Sequence, residues 1–279
     1  MELRILVDNN TLIDNYYIGE PALSIFIQEG NNRILFDTGY SDAFIKNAHK
    51  MGIDLTDLDF ISFSHGHPDH TWGMADLFKL YMEAKNMKEG VVFPKIIGHP
   101  ITFESKLHDE AGELGSLLSY NKLKKSFKVL LSREPYWISD KLVFLGEVKR
   151  KFDYEGHEII GKVSTDNEEY DDHILDDTAL VYRAKEGLVI IVGCAHSGIC
   201  NIIEYAKEVC GEDRILDIIG GFHLLNPTEN QLINTCNYIS EIKPTSLHAS
   251  HCTDLNSKIA LSRVANLKEV GVGLKLKFE

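Results

Sequence analysis

No apolar run in these 279 residues approaches the roughly 18 needed to span a bilayer. The N-terminus, Met1-Glu2-Leu3-Arg4-Ile5, lacks the basic start, apolar core and small-residue cleavage site of a secretory leader. Cysteine is scarce. The five cysteines, Cys194, Cys200, Cys210, Cys236 and Cys252, are odd in number and none has CxxC spacing, which argues against a disulfide frame or a zinc ribbon. Basic residues are in deficit as well. Against 42 acidic side chains there are 29 Lys and Arg, a net charge of −13 that makes nucleic acid a poor partner. The lysines at 122, 124, 125 and 128 read as a solvated face. These absences together predict a cytoplasmic protein without a membrane segment. An apolar content of 44% suffices for one large core, so a single domain over 1–279 is expected.

What the chain does have is histidine, concentrated in one place. Ser64-His65-Gly66-His67-Pro68-Asp69-His70-Thr71 carries three imidazoles and a carboxylate within six positions. It follows the apolar run Phe60-Ile61-Ser62-Phe63 and precedes Met74, Leu77, Phe78, Tyr81 and Met82, which share one face of a helix. Imidazole with carboxylate at this density, at a strand mouth, points to a metal site.

The remaining chain reads as strands alternating with helices. Leu3, Ile5 and Val7 alternate; Leu23 to Gln28 and Arg33 to Asp37 form a hairpin about Gly30-Asn31. Ser41 can cap a helix carrying Phe44, Ile45 and Ala48. Residues 101–140 are hard to assign and are expected to be an insertion or cover. The segment 166–177 holds seven acids and is expected as an exposed loop. Thr178–Tyr182 and the wholly apolar Leu188–Val192 are strands, followed by a helix on Ile199, Ile202 and Ile203. Arg214–Ile219 and Ser246–Ala249 are later strands. Thr228 with Gln231 forms a capping box, Asp254 caps the next helix, and Leu274, Leu276 and Phe278 mark an edge strand.

Chemistry collects where these strands end, at His65, His67, Asp69 and His70, at Cys194 and His196, at His223, and at His248 and His251. Strand ends along one sheet edge converge, so these histidines are candidate ligands of one site. Each has a plainer role to weigh. Cys194 is either a soft thiolate ligand or a small buried residue. His223 either binds substrate or donates a proton, or is a satisfied structural histidine. Cys200, Cys210 and Cys236 lie on helical faces and read as core. His99 and His248 are weaker candidates, and His49, His108 and His157 read as solvated.

The segment Asp57-Leu-Asp-Phe-Ile-Ser-Phe-Ser-His-Gly-His-Pro-Asp-His-Thr-Trp-Gly73, with Phe36-Asp-Thr-Gly39 upstream, resembles the signature of the metallo-β-lactamase superfamily. The resemblance implies an α/β (α+β) fold, an αββα four-layer sandwich of two mixed sheets with helices outside. It implies that His65 and His67 bind a first divalent metal and that Asp69, His70 and His251 bind a second. Zinc is the expected ion, one or two per chain, with iron or manganese as alternatives. Where the superfamily usually has Gly-Asp, this chain has Gly193-Cys194. The third histidine of the first metal is His196 or, in the acidic segment, His173; His196 is preferred.

A narrower likeness covers about residues 1–275. Asp176-Asp-Thr-Ala-Leu180, Gly193-Cys-Ala-His-Ser-Gly-Ile199, Gly220-Gly-Phe-His-Leu224 and Ser250-His-Cys-Thr253 resemble a branch typified by a dihydropterin–ribofuranosylaminobenzene phosphate synthase. Two activities follow as expectations. One is metal-dependent hydrolysis of a small substrate, with Asp69 and His223 as catalytic groups. The other is a synthase-like transfer onto an aminobenzene ring. The substrate expected is a small molecule, phosphorylated or pterin-like.

Overall fold

The computed structural model describes residues 1–165 and 167–279; Asp166, first of the acidic segment, lies outside the described residues. Period-2 alternation in the strands decides the layering. In Asn32–Phe36, Leu35 joins an apolar cluster with Phe44, Leu77 and Tyr81 of the helices Ala43–Lys50 and Met74–Met87. Its neighbours Ile34 and Phe36 point the other way, into a cluster with Phe144, Leu180 and Ile191. Gly187–Val192 repeats the pattern. Val189 and Ile191 face that same central cluster, while Leu188, Ile190 and Val192 join Ile202, Ile203, Ile239 and Leu261. Those last four belong to the helices Ile199–Cys210, Glu229–Ile242 and Leu255–Ser262. Three apolar interfaces therefore separate four layers, helix–sheet–sheet–helix.

Both large sheets are mixed. The first runs Lys275–Lys277, Glu2–Val7, Ser24–Glu29, Asn32–Phe36, Phe60–Ser62, Lys95–Gly98 and Lys128–Leu131. It is antiparallel as far as Asn32–Phe36 and parallel beyond it. The second runs Ser246–Ser250, Ile215–Gly221, Gly187–Val192, Ala179–Ala184, Leu142–Phe144 and Tyr136–Trp137. Its first three strands are parallel, so their C-terminal ends lie on one edge. Two caps sit where the sequence put them: Thr228 accepts from the Gln231 N–H at 3.1 Å and Asp254 from the Ser257 N–H at 2.7 Å. The expected Ser41 cap is displaced by one place: Asp42 holds the N-cap position of Ala43–Lys50, and Ser41 Oγ accepts from the Ala43 N–H at 3.1 Å.

The acidic segment corrects its expectation. Glu169–Asp171 is a strand of a small four-stranded sheet, paired with Lys162–Ser164, which in turn pairs with Ser105–His108. Asp172, Asp176 and Asp177 are buried. Burial is possible because Lys106, itself buried, places Nζ 2.8 Å from Asp172 and 3.0 Å from Asp176. No helix of the described residues is long and apolar enough to cross a membrane.

Candidate metal centre

The strand Phe60–Ser62 delivers the His-rich loop at its C-terminal end. Pro68 occupies the first turn of the short helix Pro68–Thr71, where its missing N–H is no loss. That turn brings Asp69 and His70 round toward the side chains of His65 and His67. Gly66 is required here, since a Cβ at this position would meet the Thr102 carbonyl oxygen at 2.5 Å. The Gly66 N–H donates to Asp176 Oδ2 at 2.7 Å, so the buried Lys106–Asp172–Asp176 group anchors the loop from beneath.

From the second sheet, Gly187–Val192 ends at Gly193-Cys194-Ala195-His196, with Ala195 in the left-handed region at φ 59°. A Cβ on Gly193 would lie 2.1 Å from Ser64 Oγ, so the two sheets touch at backbone distance here. Ile215–Gly221 delivers His223 and Ser246–Ser250 delivers His251, both at φ 50°.

These side chains converge. His65 Nε2 and His67 Nδ1 are 3.1 Å apart, and His70 Nε2 is 3.2 Å from Cys194 Sγ. Two groups have possible ligand atoms all within 4.8 Å of one another: Asp69, His70, Cys194 and His251, and His65, Cys194 and His196. Cys194 belongs to both. The His196 ring lies 4.8 Å from that of His65 and 4.9 Å from that of His67. His173 is exposed and its carbonyl accepts from Arg150, so His196, not His173, is the histidine brought beside His65 and His67.

The donor set suits a metal. Buried polar atoms ordinarily have partners. Yet His67 Nε2 and both ring nitrogens of His196 have none among the described residues, and His251 Nε2 has only the Asp69 carboxylate nearby, at 3.2 Å without hydrogen-bond geometry. The opposite edges of two rings are tied down. Asp37 Oδ2 binds His70 Nδ1 at 2.7 Å, and Asn9 Oδ1 stands 3.3 Å from His251 Nδ1. Such outer contacts fix ring orientation and leave Nε2 for a metal.

For His65, His67 and His196, electrostatics agrees. Burial, then the neighbouring His70 cation, drives His65 well below the usual imidazole range. Burial and Lys106 lower His67 to about 4, and burial with His223 lowers His196. All three are thereby held as neutral imidazoles, the ligand form. Burial works against the His70 cation too, but Asp69 and Asp37 prevail and hold it at about 9. Burial disfavours the Asp69 anion, yet His70 and His251 keep its carboxyl below the ordinary range. Burial and Cys252 push the Cys194 thiol up.

His223 stands at the rim. Its ring lies 4.2 Å from that of His196, its Nε2 is 2.8 Å from Glu158 Oε2, and its Nδ1 is buried without a partner among the described residues. The weaker candidates lie elsewhere: His99 pairs with Glu147 at 3.0 Å and His248 with Asp217 at 2.8 Å. His49 and His157 are exposed and His108 half-buried, while Cys200 and Cys210 are core. Three participants escaped sequence reasoning. Asp37 bonds both Ser64 and His70, Cys252 Sγ lies 3.4 Å from the Cys194 carbonyl oxygen, and Glu158 holds His223. Asp37 carried a signal in its place at a strand end beside Thr38-Gly39, and Cys252 in the motif Ser250-His-Cys-Thr253; Glu158 carried none.

Comparison with known proteins follows the same lines. A crystal structure described as a metal-dependent hydrolase of the beta-lactamase superfamily superposes with a TM-score of 0.83 at 28% identity, over 99% of this chain and 98% of that one. An uncharacterized protein of Methanocaldococcus jannaschii is 28% identical over 273 residues, 97% of this chain and 98% of its own. The 7,8-dihydropterin-6-methyl-4-(beta-D-ribofuranosyl)-aminobenzene-5'-phosphate synthase of the same organism is 27% identical over 267 residues, 89% of this chain and 88% of its own. The family model described as Metallo-beta-lactamase superfamily matches residues 17–208. With that match over more than half its length, the chain belongs to the metallo-beta-lactamase superfamily.

Proposed function

We propose that this protein is a metal-dependent hydrolase of a small substrate. His65, His67, His196 and Cys194 hold one divalent ion, and Asp69, His70, His251 and Cys194 hold a second, zinc in both places. The observation that supports this most is the set of buried ring nitrogens without partners among the described residues, aimed into one volume. The similar structure described as a metal-dependent hydrolase supports the reaction class.

Divalent metal at this place would acidify a water and polarise a carbonyl or phosphoryl oxygen. The chain's own groups do the rest. Asp69, ionised at neutral pH and only half-buried, accepts a proton from the attacking water and holds it in line. His223 is kept protonated to about 10: burial opposes the charge, and Cys252 and Glu158 outweigh it. The His223 ring is the donor to the leaving group.

A second reading rests on the synthase relative: transfer onto an aminobenzene ring in place of water attack. Metal analysis of the purified protein, joined to a panel of phosphate esters, carboxylate esters and a dihydropterin diphosphate with an aminobenzene partner, decides between them. Hydrolysis without coupling supports the hydrolase, and a coupled product the transferase. His196→Ala is expected to lose bound metal and His173→Ala to keep it. Metal-free wild-type protein that cannot be loaded would sink both readings.

A further inference from the structure

Cys252 belongs to neither ligand group, yet its side chain turns back to Cys194, which belongs to both. The path crosses three strands. Gly187–Val192 leads to Cys194, the neighbouring Ile215–Gly221 ends in Gly221, and Ser246–Ser250 beyond it leads to Cys252. Gly221 opens the way between them, since a Cβ there would stand 2.6 Å from Cys252 Sγ and 2.7 Å from the Gly193 carbonyl oxygen. The Gly221 N–H donates to that same carbonyl at 2.9 Å, which fixes the middle strand against the Cys194 loop. Cys252 Sγ accepts from the His223 N–H at 3.3 Å and lies 3.4 Å from the Cys194 carbonyl oxygen. A carbonyl oxygen stands about 2.4 Å from its own Cα, so this sulfur is within about 6 Å of Cys194 Cα. The Cys194 sulfur faces His70 Nε2 at 3.2 Å. Turning it away from His70, with about an ångström of loop movement, brings the two sulfurs to bonding distance. The thiols differ in access: Cys252 is half-buried, whereas Cys194 is 4% exposed.

Building on the metal-dependent reading above, we infer that Cys252 and Cys194 form an oxidation site for hydroperoxides, and that the disulfide they yield shuts metal out of the centre. Cys252, the more accessible thiol, takes one oxygen from ROOH, which gives a sulfenic acid and ROH. The Cys194 sulfur then attacks the Cys252 sulfur; its proton and the departing hydroxyl leave as water. Two S–H bonds and one O–O bond are thereby exchanged for one S–S bond, one alcohol and one water. Each sulfur gives up one electron and the peroxide takes both. The product withdraws the sulfur that the two ligand groups share, so both places are impaired by one event. Cys200, Cys210 and Cys236 lie on helices outside both groups, and their oxidation has no such effect. The coupling runs both ways: a metal on Cys194 Sγ occupies the resolving sulfur, so loaded protein is protected from the cross-link.

The test uses the full chain, metal-free and zinc-loaded, with hydrogen peroxide as the oxidant. In metal-free protein the free thiols are expected to fall from five to three, and a reductant to restore them. Mass spectrometry of an unreduced digest is expected to show the peptides of Cys194 and Cys252 joined. Oxidised protein is expected to take up less than about a tenth of the zinc that reduced protein takes, and zinc loaded beforehand to slow the cross-link at least about tenfold. Cys252→Ser is expected to keep its zinc uptake after the peroxide dose that abolishes uptake by the wild type. Equal loss in that variant would assign the effect to Cys194 alone and overturn the pairing. Five surviving thiols, a cross-link through other cysteines, undiminished zinc uptake after oxidation, or zinc that gives no protection would each overturn it as well. Zinc uptake by reduced protein separates the two ideas. Reduced protein that forms the cross-link but takes no zinc defeats the metal-dependent reading and leaves the oxidation site standing. Reduced protein that takes zinc but never cross-links defeats only the oxidation site.

Discussion

Lys106→Met is expected to cost more stability than any surface ion-pair deletion in this chain. Lys106 is 1% exposed and its two carboxylate partners are fully buried. Burial alone would lower the Lys106 ammonium, but Asp176 and Asp172 hold it above the usual lysine range. Burial likewise disfavours the Asp176 anion, and Lys106 holds its carboxyl below the ordinary range. Methionine fills the stem's volume but abandons two buried anions, a loss of about 3–5 kcal/mol. At about 2.1 cal/mol/K per residue the unfolding entropy is roughly 0.6 kcal/mol/K, so the melting temperature should fall by about 5–8 °C. Circular dichroism melts at pH 7 on metal-free protein measure it. The exposed pair Lys162–Glu169 is the control, and Lys162→Met should leave the melt unchanged.

Two further outcomes identify charge as the cause. Without Lys106, burial pushes the Asp176 carboxyl up, so the folded variant binds more protons than the unfolded chain. Its stability then rises as pH falls, and its deficit against wild type should shrink from pH 7 to pH 5. Adding Asp172→Asn and Asp176→Asn should recover most of the loss, since the asparagine at 176 can still accept from Gly66. A drop under 2 °C, or a triple variant that melts as low as the single one, would refute the reasoning.

Gly193→Ala would drive a methyl into Ser64 Oγ and break its 2.7 Å bond to Asp37; a loss of about 1–3 kcal/mol together with lower metal occupancy is expected from melts and metal analysis. Glu155 is raised by burial from its ordinary 4.5 to about 7, so the native state binds the extra proton and stability falls by about 3 kcal/mol as pH rises through that window. Glu155→Gln should reduce the slope of the melting profile between pH 4.5 and 7, leaving the share that the buried Asp177 carboxyl, pushed up to about 6, contributes, and an unchanged slope would count against the assignment.

The sequence was legible where the physics is local. The hairpin Ser24–Phe36, the helix Met74–Met87 and the wholly apolar Gly187–Val192 follow from periodicity and turn residues. The caps at Thr228 and Asp254 need only three residues of context. The candidate ligands in 65–70 are grouped by their own spacing. What escaped is what depends on distant pairing. Asp37 meets His70 across 33 positions, Lys106 meets Asp172 across 66, and His70 meets Cys194 across 124. Acid-rich 167–177 looks solvated when its counter-ion is 66 residues upstream. The same gap hid the strands Ser105–His108 and Lys162–Ser164, which are short and pair with each other across more than fifty positions.

Cys194 is where these strands of argument meet, because its sulfur belongs to both ligand groups while Cys252 belongs to neither. The two thiols are close in space, so a test must tell them apart. Burial and Cys252 push the Cys194 thiol up, which makes it a neutral thiol in metal-free protein at pH 7. A metal that takes its sulfur must therefore displace a proton, and apparent affinity should rise with pH across the neutral range. Cobalt-loaded wild-type protein is expected to show a thiolate-to-cobalt charge-transfer band in the near ultraviolet. Cys194→Ser should abolish the band and weaken its pH-dependent gain in affinity, and should lower occupancy at both places rather than one. Cys252→Ser should leave the band in place. A band that survives Cys194→Ser would make Cys194 a packing residue at a strand end and leave the two groups without a shared ligand.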